Sequence, residues 1–131
     1  MLDCLILGDS IAQGIAQHRP ECAVYAKVGI NSRNWNNANL TKHLSAKVVL
    51  ISLGSNDSDS INTRRELETL REIVKGDVVF WILPNNKPHL HQFIRELAED
   101  YHDVVLPISN ISSDNVHPTV KGYKLLANQT R

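Results

Sequence analysis

Short apolar runs alternate with longer stretches of helical periodicity along most of this chain. Five runs are short and rich in β-branched residues, which predicts buried β-strands; they cover residues 2–7, 22–28, 47–53, 77–83 and 103–108. Between them, apolar residues recur at spacings of three and four, which predicts helices; these cover residues 11–18, 67–74, 90–101 and 120–127. Gly76 is expected to end the second helix.

The order of these segments indicates an α/β protein. Strands that are apolar on both faces and alternate with helices are typical of a parallel sheet covered by helices on both sides. A length of 131 residues corresponds to one domain, predicted over residues 1–131, and a hydrophobic content of 42% is enough for one packed core. We therefore predict a single α/β domain with a five-stranded parallel sheet.

The charge balance excludes several classes of partner. The chain carries 14 Lys and Arg against 14 Asp and Glu, so its formal net charge is zero. It therefore lacks the basic surface expected of a nucleic-acid-binding protein or a polybasic membrane-binding segment. No apolar run approaches the ~18 residues of a membrane span, and the first residues lack the basic and apolar regions of a signal peptide. We expect a cytoplasmic protein, or one that is released without an N-terminal signal peptide in this chain.

The two cysteines, Cys4 and Cys22, are too few for a disulfide scaffold. We interpret them as buried thiols that act as small hydrophobic residues, with a Cys4–Cys22 disulfide as the less favoured alternative. His89 and His91 form an H-x-H pair, but no carboxylate or thiol completes a metal-binding set. We therefore predict neither a metal nor a cofactor.

Polar residues or a glycine follow four of the predicted strands, at the edge where parallel sheets bind their ligands. The residues of interest are Ser10 in G-D-S, Gly29, Asn56 in G-S-N-D, and Asp114 and His117 in D-N-V-H-P. The fourth strand ends in Leu83-Pro84 and is followed by nothing comparable. The candidate chemistry therefore converges on one edge of the predicted sheet.

These residue types match the requirements of nucleophilic catalysis. A serine hydroxyl is a weak nucleophile and needs an adjacent base, and a histidine such as His117 is suitable because an unperturbed imidazole is mostly neutral at pH 7. Asp114 precedes His117 by three residues, so one turn can bring its carboxylate to the imidazole and fix the tautomer. Attack on an acyl carbon creates an oxyanion, for which Ser10 N–H, Gly29 N–H and the Asn56 amide are candidate donors.

The four blocks resemble the motifs of the SGNH hydrolase superfamily, also called GDSL-type esterases and lipases. They are G-D-S-I-A-Q-G at 8–14, Gly29, G-S-N-D at 54–57 and D-N-V-H-P at 114–118, in family order over nearly the whole chain. The resemblance implies a flavodoxin-like three-layer α/β/α sandwich, with Ser10 as nucleophile, His117 as base and Asp114 as its orienting acid. It also implies an oxyanion hole made of Ser10 N–H, Gly29 N–H and the Asn56 side chain.

The connections between the predicted strands and helices are too short for a lid or a deep acyl tunnel. We therefore predict an open site and a serine esterase for short acyl groups, such as an acetylesterase, acting on a small ester or an acylated polysaccharide. A thioesterase or lysophospholipase of the same superfamily is the alternative within this class, and the oligomeric state stays open. The segment N-S-R-N-W-N-N-A-N at 31–39 is either a polar loop or a substrate rim, in which Trp35 offers an aromatic face and Asn31 an amide.

Three non-hydrolytic modules of the same topology compete with this interpretation. A receiver-like module would use Asp9 and Asp57, but the chain lacks the hydroxyl residue after the fourth strand and the lysine after the fifth that such a site needs. A flavodoxin-like cofactor-binding module would use the loop after the first strand, which offers a single hydroxyl, that of Ser10. A binding module without catalysis leaves the complete set of site residues unexplained. In the hydrolase interpretation, Asp9 bonds nearby backbone N–H groups.

Overall fold

Five parallel strands form one sheet in the computed structural model, which describes residues 1–131, and their order is β2-β1-β3-β4-β5. The strands are β1 (Leu2–Gly8), β2 (Ala23–Ala26), β3 (Ser45–Ser52), β4 (Lys75–Ile82) and β5 (Val104–Leu106). The helices are α1 (Ser10–Ala16), α2 (Ser32–Asn39), α3 (Thr63–Ile73), α4 (His91–Tyr101) and α5 (Val120–Gln129), with a short 3-10 helix at Pro88–Leu90. No helix is long and apolar enough to cross a membrane.

Helices cover both faces of the sheet, and each face has its own hydrophobic core. Alternate residues of β1 point to opposite faces, so Leu5 and Leu7 enter the larger core while Cys4 and Ile6 enter the smaller one. Helices α2, α3 and α4 close the larger core with Trp35, Leu67, Leu70, Ile94, Leu97 and Ala98. Helices α1 and α5 close the smaller core with Ile11, Ala12, Ile15, Leu126 and Ala127. The predicted three-layer α/β/α sandwich with a five-stranded parallel sheet is confirmed.

Gly76 does not end a helix as the sequence predicted. Helix α3 ends at Ile73, Val74 is already extended, and Lys75 begins β4, so Gly76 lies inside that strand. A Cβ at Gly76 would lie 3.1 Å from Val49 Cγ2, so this glycine allows close packing of neighbouring strands. The helix therefore stops because Lys75 N–H donates to Leu44 O and begins the new strand.

Cys4 and Cys22 form a disulfide bond, and the prediction of two free thiols is wrong. The parallel register explains the pairing, since Leu5 faces Ala23 and the preceding residues of both segments are then neighbours. The Cα atoms are 4.8 Å apart, within the range that a disulfide spans. A crosslink over 18 residues stabilises a fold by roughly 3 kcal/mol, and this one lies in the first half of β1, away from Ser10.

Candidate active site

Ser10 is placed at the carboxyl edge of the sheet by a tight passage from β1 to α1. Gly8 ends the strand with φ +146°, and a Cβ there would lie 1.9 Å from Ser52 O, so only glycine fits. Asp9 caps the helix, because its Oδ1 accepts from Ile11 N–H at 3.0 Å. Ser10 is therefore the first residue of α1, half-buried, at the carboxyl edge of the sheet as the sequence predicted.

The structure brings Ser10, His117 and Asp114 together in one chain of hydrogen bonds. Ser10 Oγ lies 2.8 Å from His117 Nε2, although the two residues are 107 positions apart in sequence. On the other side of the ring, His117 Nδ1 lies 2.7 Å from Asp114 Oδ2. With Nδ1–H donating to the carboxylate, Nε2 is left as an acceptor for the serine proton, which is the tautomer that a general base requires.

Asp114 also organises the loop that carries the histidine. Its Oδ1 accepts from Ser112 Oγ–H at 2.8 Å, Val116 N–H at 2.8 Å and His117 N–H at 2.9 Å. The hydrogen bond from the His117 ring, followed by these backbone and hydroxyl donors, holds the pKa of the Asp114 carboxyl well below its usual range. Asp114 therefore stays ionised across the pH range in which a histidine titrates, even though half of its side chain is exposed.

Asp9 is a second carboxylate beside the site, in a different environment. It is fully buried, and its Oδ2 atom has no hydrogen-bond partner. Burial raises its pKa to about 6, against the opposing effects of hydrogen bonds from backbone N–H groups and of the nearby His117. The Tyr123 hydroxyl also has a raised pKa, because of its burial and of the charges of Asp9 and Asp114. Asp9 bonds the backbone, as the sequence suggested, and contributes negative charge close to His117.

The turn after β2 carries Gly29 next to β1. Lys27 N–H donates to Gly8 O at 3.0 Å, and Ile30 N–H closes the turn onto Lys27 O at 3.3 Å. Gly29 has φ +79°, a conformation that favours glycine, although there is open space where a Cβ would stand. Asn56 Nδ2–H donates to Ile30 O at 3.0 Å, which ties the loop after β3 to this turn and leaves the second amide hydrogen of Asn56 free.

Asp57, on the buried side of the site, connects the loop after β3 to the turn after β2. It is buried and accepts from Ser32 N–H and Ser32 Oγ–H, at 2.8 and 2.5 Å, and from Thr63 Oγ1–H at 2.7 Å. These bonds fix the start of α2 and the start of α3 on the loop after β3. A carboxylate used in this way is not available as a phosphate acceptor, which argues against the receiver-like alternative.

The prediction of a substrate rim at Trp35 is wrong. Residues 31–39 do not form a polar loop; Asn31 caps α2 by accepting from Asn34 N–H at 2.8 Å, and the helix follows. Trp35 is 0% exposed, packs in the larger core and donates its indole N–H to Tyr25 O at 2.9 Å. It therefore offers no face to a substrate, while Asn31 retains its amide N–H groups at the end of the turn after Gly29.

Sequence reasoning missed the two asparagines that follow β4. Asn85 Nδ2–H donates to Asn115 O at 3.1 Å and to Asn115 Oδ1 at 3.0 Å, between Asp114 and His117. Asn86 Nδ2–H donates to Ser55 O at 3.0 Å, next to Asn56. The signal was present, since an N-N pair at the carboxyl end of a strand stands where ligand-binding residues of parallel sheets lie.

No cavity in the structure is lined by Ser10 or His117. The largest, about 430 Å³, lies between α3 and α4 and includes Phe93 and Tyr101. A smaller cavity of about 310 Å³ lies against Gly29, with Val28 and Ile30 on its wall. A single group of potential metal ligands exists, and it is remote from Ser10: Cys4, Cys22 and Glu21, in which the two sulfurs are already joined.

Comparison with known proteins adds three similar solved structures. No family profile matches the chain, and no curated protein is similar enough to count as a match. The catalytic domain of the Streptococcus pneumoniae peptidoglycan O-acetyltransferase OatA, solved with a methylsulfonyl adduct, aligns with a TM-score of 0.66 and 19% identity over 96% of this chain and 88% of that chain.

The other two neighbours carry the names "putative acylhydrolase", from Bacteroides fragilis, and "putative SGNH hydrolase", from Slackia heliotrinireducens. The first aligns with a TM-score of 0.67 and 16% identity over 97% of this chain and 83% of that chain. The second aligns with a TM-score of 0.67 and 15% identity over 98% of both chains. At these identities the alignments establish a shared fold, and the likeness to SGNH hydrolases seen in the motifs extends to the whole architecture.

Proposed function

We propose that the protein is a serine hydrolase that cleaves short-chain carboxylic esters through an acyl-enzyme on Ser10. The observation that carries this proposal is the hydrogen-bond chain from Ser10 Oγ through His117 to Asp114, with steps of 2.8 and 2.7 Å. Nucleophile, base and orienting acid lie within hydrogen-bond reach of each other before any substrate is bound. Neither the receiver-like nor the flavodoxin-like alternative gives this chain of contacts a role.

In the proposed reaction, Ser10 Oγ attacks the ester carbonyl while His117 Nε2 takes the hydroxyl proton. The imidazolium that forms is stabilised by the Asp114 carboxylate, which does not itself take the proton. Collapse of the tetrahedral intermediate breaks the bond to the alcohol, and His117 returns the proton to the leaving alkoxide. A water molecule then repeats the sequence on the acyl-enzyme, which releases the carboxylic acid and restores Ser10.

The oxyanion of that intermediate needs donors on the side of the site away from His117. We assign this role to the backbone N–H groups of Ser10 and Gly29 and to the free amide hydrogen of Asn56. The turn that carries Gly29 is anchored to β1 at Gly8, and Asn56 is anchored to the same turn through Ile30. Donors held in advance in this way stabilise developing charge without reorganisation.

The shape around Ser10 supports a small acyl group. Ser10 lines none of the cavities, and the cavity against Gly29 is small, about 310 Å³. A long alkyl chain would therefore gain only part of the ~0.8 kcal/mol that each buried CH₂ contributes. The proposed substrate is therefore an acetylated or similarly short-acyl compound, with the alcohol portion facing solvent. A bulky alcohol such as a polysaccharide fits such an open site.

The direct test is hydrolysis of p-nitrophenyl esters of increasing chain length by the wild type and Ser10→Ala. We expect the highest kcat/KM at acetate or butyrate, a decline at longer chains, and loss of turnover in Ser10→Ala with an unchanged circular dichroism spectrum. A maximum at octanoate or longer would favour the lysophospholipase alternative. Higher kcat/KM for matched acyl thioesters would favour the thioesterase alternative, and full activity in Ser10→Ala would overturn the proposal.

Acyl transfer to a hydroxyl acceptor is a second candidate, favoured by the fold neighbour that is an O-acetyltransferase. An exposed acyl-enzyme can be attacked by an alcohol as well as by water, and the His117 and Asp114 side chains are 40% and 49% exposed. Adding a soluble carbohydrate to the acetate assay separates the two. Transferase activity predicts an acetylated carbohydrate formed in place of part of the free acetate, whereas a pure hydrolase yields free acetate only.

The disulfide bears on where the protein works. Disulfides such as Cys4–Cys22 persist mainly in oxidising compartments, so we propose that the protein acts outside the reducing cytoplasm, in contrast to a cytoplasmic location. Thiol titration of unfolded protein, purified without reductant, should detect no free thiols. Two titratable thiols would contradict this assignment.

A further inference from the structure

The loop that carries His117 is exposed and largely supported by itself. Residues 112–117 form hydrogen bonds mainly with one another. For example, Ser112 N–H donates to His117 O at 2.8 Å, and Asn115 N–H donates to Ser112 O at 3.1 Å. Asn115 has φ +62°, a left-handed conformation in which asparagine is tolerated better than most residues. We call residues 112–117 the histidine loop.

Only two residues outside the histidine loop form hydrogen bonds with it. One is Ser10, through the bond to His117. The other is Asn85, whose side-chain amide donates to both the backbone and the side-chain oxygen of Asn115. Once Ser10 is acylated it no longer donates its hydroxyl proton to His117, so Asn85 is then the remaining hydrogen-bond anchor for the loop.

Asn86, the residue after Asn85, contacts the loop that carries Asn56. Asn86 donates to Ser55 O, directly before Asn56, and its own Oδ1 is buried without a partner. The loop after β4 is itself held, because Lys87 N–H and the His91 ring both bond Pro84 O, at 3.1 and 2.7 Å. Two adjacent side chains on one supported loop thus reach the histidine loop and the loop of Asn56.

We infer that Asn85 is a positioning residue that holds the histidine loop in the geometry needed for catalysis, with Asn86 performing the matching task for the loop of Asn56. The inference rests on the proposed serine hydrolase mechanism. Proton transfer between Ser10 and His117 depends steeply on their distance and alignment. The base of the loop is held by its flanking residues, since Thr119 N–H donates to Asn110 O at 2.8 Å. Asn85 adds a fixed point at Asn115, directly between Asp114 and His117.

The test uses Asn85→Ala and Asn85→Asp in the full chain. Asn85→Asp preserves size but removes both N–H donors and sets a carboxylate against the two oxygens of Asn115, so it should be at least as impaired as Asn85→Ala. We expect kcat for p-nitrophenyl acetate to fall about tenfold in Asn85→Ala, from the loss of two hydrogen bonds, with KM nearly unchanged. Asn115→Gly keeps the backbone acceptor and relieves the positive φ, so its loss should be smaller.

A second measurement tests the positioning role of Asn85 independently of activity. Backbone ¹⁵N order parameters of residues 112–117 should fall in Asn85→Ala from ~0.85 toward ~0.6, while those of residues 54–57 stay unchanged. Asn86→Ala should show the reverse pattern. The matched control is Asn37→Ala, an exposed asparagine of α2 without a side-chain hydrogen bond, which should leave kcat and all order parameters unchanged.

The outcomes separate the two hypotheses. Unchanged order parameters in the histidine loop of Asn85→Ala would overturn the positioning role, as would a loss of kcat that only parallels a loss of thermal stability. A wild-type protein that neither hydrolyses esters nor reacts with a fluorophosphonate would overturn the proposed function. In that case a selective loosening of residues 112–117 would still establish Asn85 as their anchor.

Discussion

Two loops at the carboxyl edge of the sheet are each organised by one aspartate, in opposite environments. Asp57 accepts three hydrogen bonds beneath the loop of Asn56 and is 5% exposed. Asp114 accepts four hydrogen bonds in the histidine loop, and its side chain is 49% exposed. The chemistry of the two carboxylates is similar, whereas Asp57 is buried and Asp114 is half-exposed to water.

Under the proposed mechanism, this difference assigns Asp57 to folding and Asp114 to catalysis. The donors that Asp57 satisfies are buried, so losing the carboxylate leaves polar groups that water cannot reach, which costs free energy of folding. The donors that Asp114 satisfies can turn to water, so its loss costs little stability but releases the His117 ring. The loop of Asn56 is thus fixed by buried hydrogen bonds, while the histidine loop is held by its own exposed hydrogen bonds and by Asn85.

The largest effect is expected from Asp114→Asn. The substituted side chain retains an oxygen for the loop amides but presents N–H to His117 Nδ1, which favours the wrong tautomer. By analogy with the same change in known Ser-His-Asp hydrolases, kcat should fall by about 10⁴, with a thermal midpoint close to the wild type. Steady-state kinetics and a thermal melt on one preparation check this. A loss below tenfold would mean that Asp114 only shapes the loop.

Asn56→Ala should have the next largest effect on rate. Loss of one oxyanion donor costs roughly 2.7–4 kcal/mol in the transition state, or 10²–10³ in kcat, with a smaller change in KM. Kinetics on p-nitrophenyl acetate test this, with the exposed Asn37→Ala as the control that should match the wild type. A change confined to KM would indicate that Asn56 only ties its loop to Ile30.

Asp57→Ala should act on stability instead. Three donors on Ser32 and Thr63 lose their buried acceptor, which predicts a loss of about 3 kcal/mol and a midpoint roughly 10 °C lower. At temperatures where the variant remains folded, its kcat should stay within a few fold of the wild type. If kcat collapsed while the midpoint held, Asp57 would belong to the chemistry, and the division between the two loops would be wrong.

The last effect concerns the buried Asp9 and is visible only as a change of stability with pH. Its pKa is raised from 3.8 to about 6 in the folded protein, so the folded state holds this proton more tightly than the unfolded chain. The group therefore lowers the free energy of unfolding as pH rises from about 4 to 7, by up to about 3 kcal/mol. Asp9→Asn keeps a capping oxygen and lacks this pH dependence.

Urea unfolding at pH 4, 5, 6 and 7 measures that contribution as the difference between wild type and Asp9→Asn. The exposed Asp3→Asn serves as the control for replacing a carboxylate by an amide. A constant difference between wild type and Asp9→Asn across this range would contradict the raised pKa of Asp9.

The fold and the placement of Ser10 and Gly29 could be predicted because they depend on local signals. Apolar runs mark strands that are buried on both faces, and glycines mark the turns that follow them. The meeting of Ser10 with His117 could be anticipated because both follow strands of one parallel sheet. These predictions depend only on the order of the strands along the chain and on the edge of the sheet at which each strand ends, and both can be read from the apolar and glycine positions.

Other features depend on side-chain partners that no local pattern contains. The asparagine-rich segment looks like a loop, yet Asn36 and Asn39 are buried in α2, where they bond Glu66 and the backbone of Trp35. The disulfide follows only from the register of β1 against β2. The role of Asn85 depends on a contact with Asn115, thirty residues away, that exists only in the folded chain.

The central claim is that Ser10 is a nucleophile activated by His117. The most direct measurement is covalent labelling with a fluorophosphonate, read by intact mass and peptide mapping, in the wild type, Ser10→Ala and His117→Ala. The account predicts one adduct per chain at Ser10, none in Ser10→Ala, and labelling slowed at least about 10³-fold in His117→Ala. Labelling of a different serine, or of Ser10 at the same rate without His117, would contradict it.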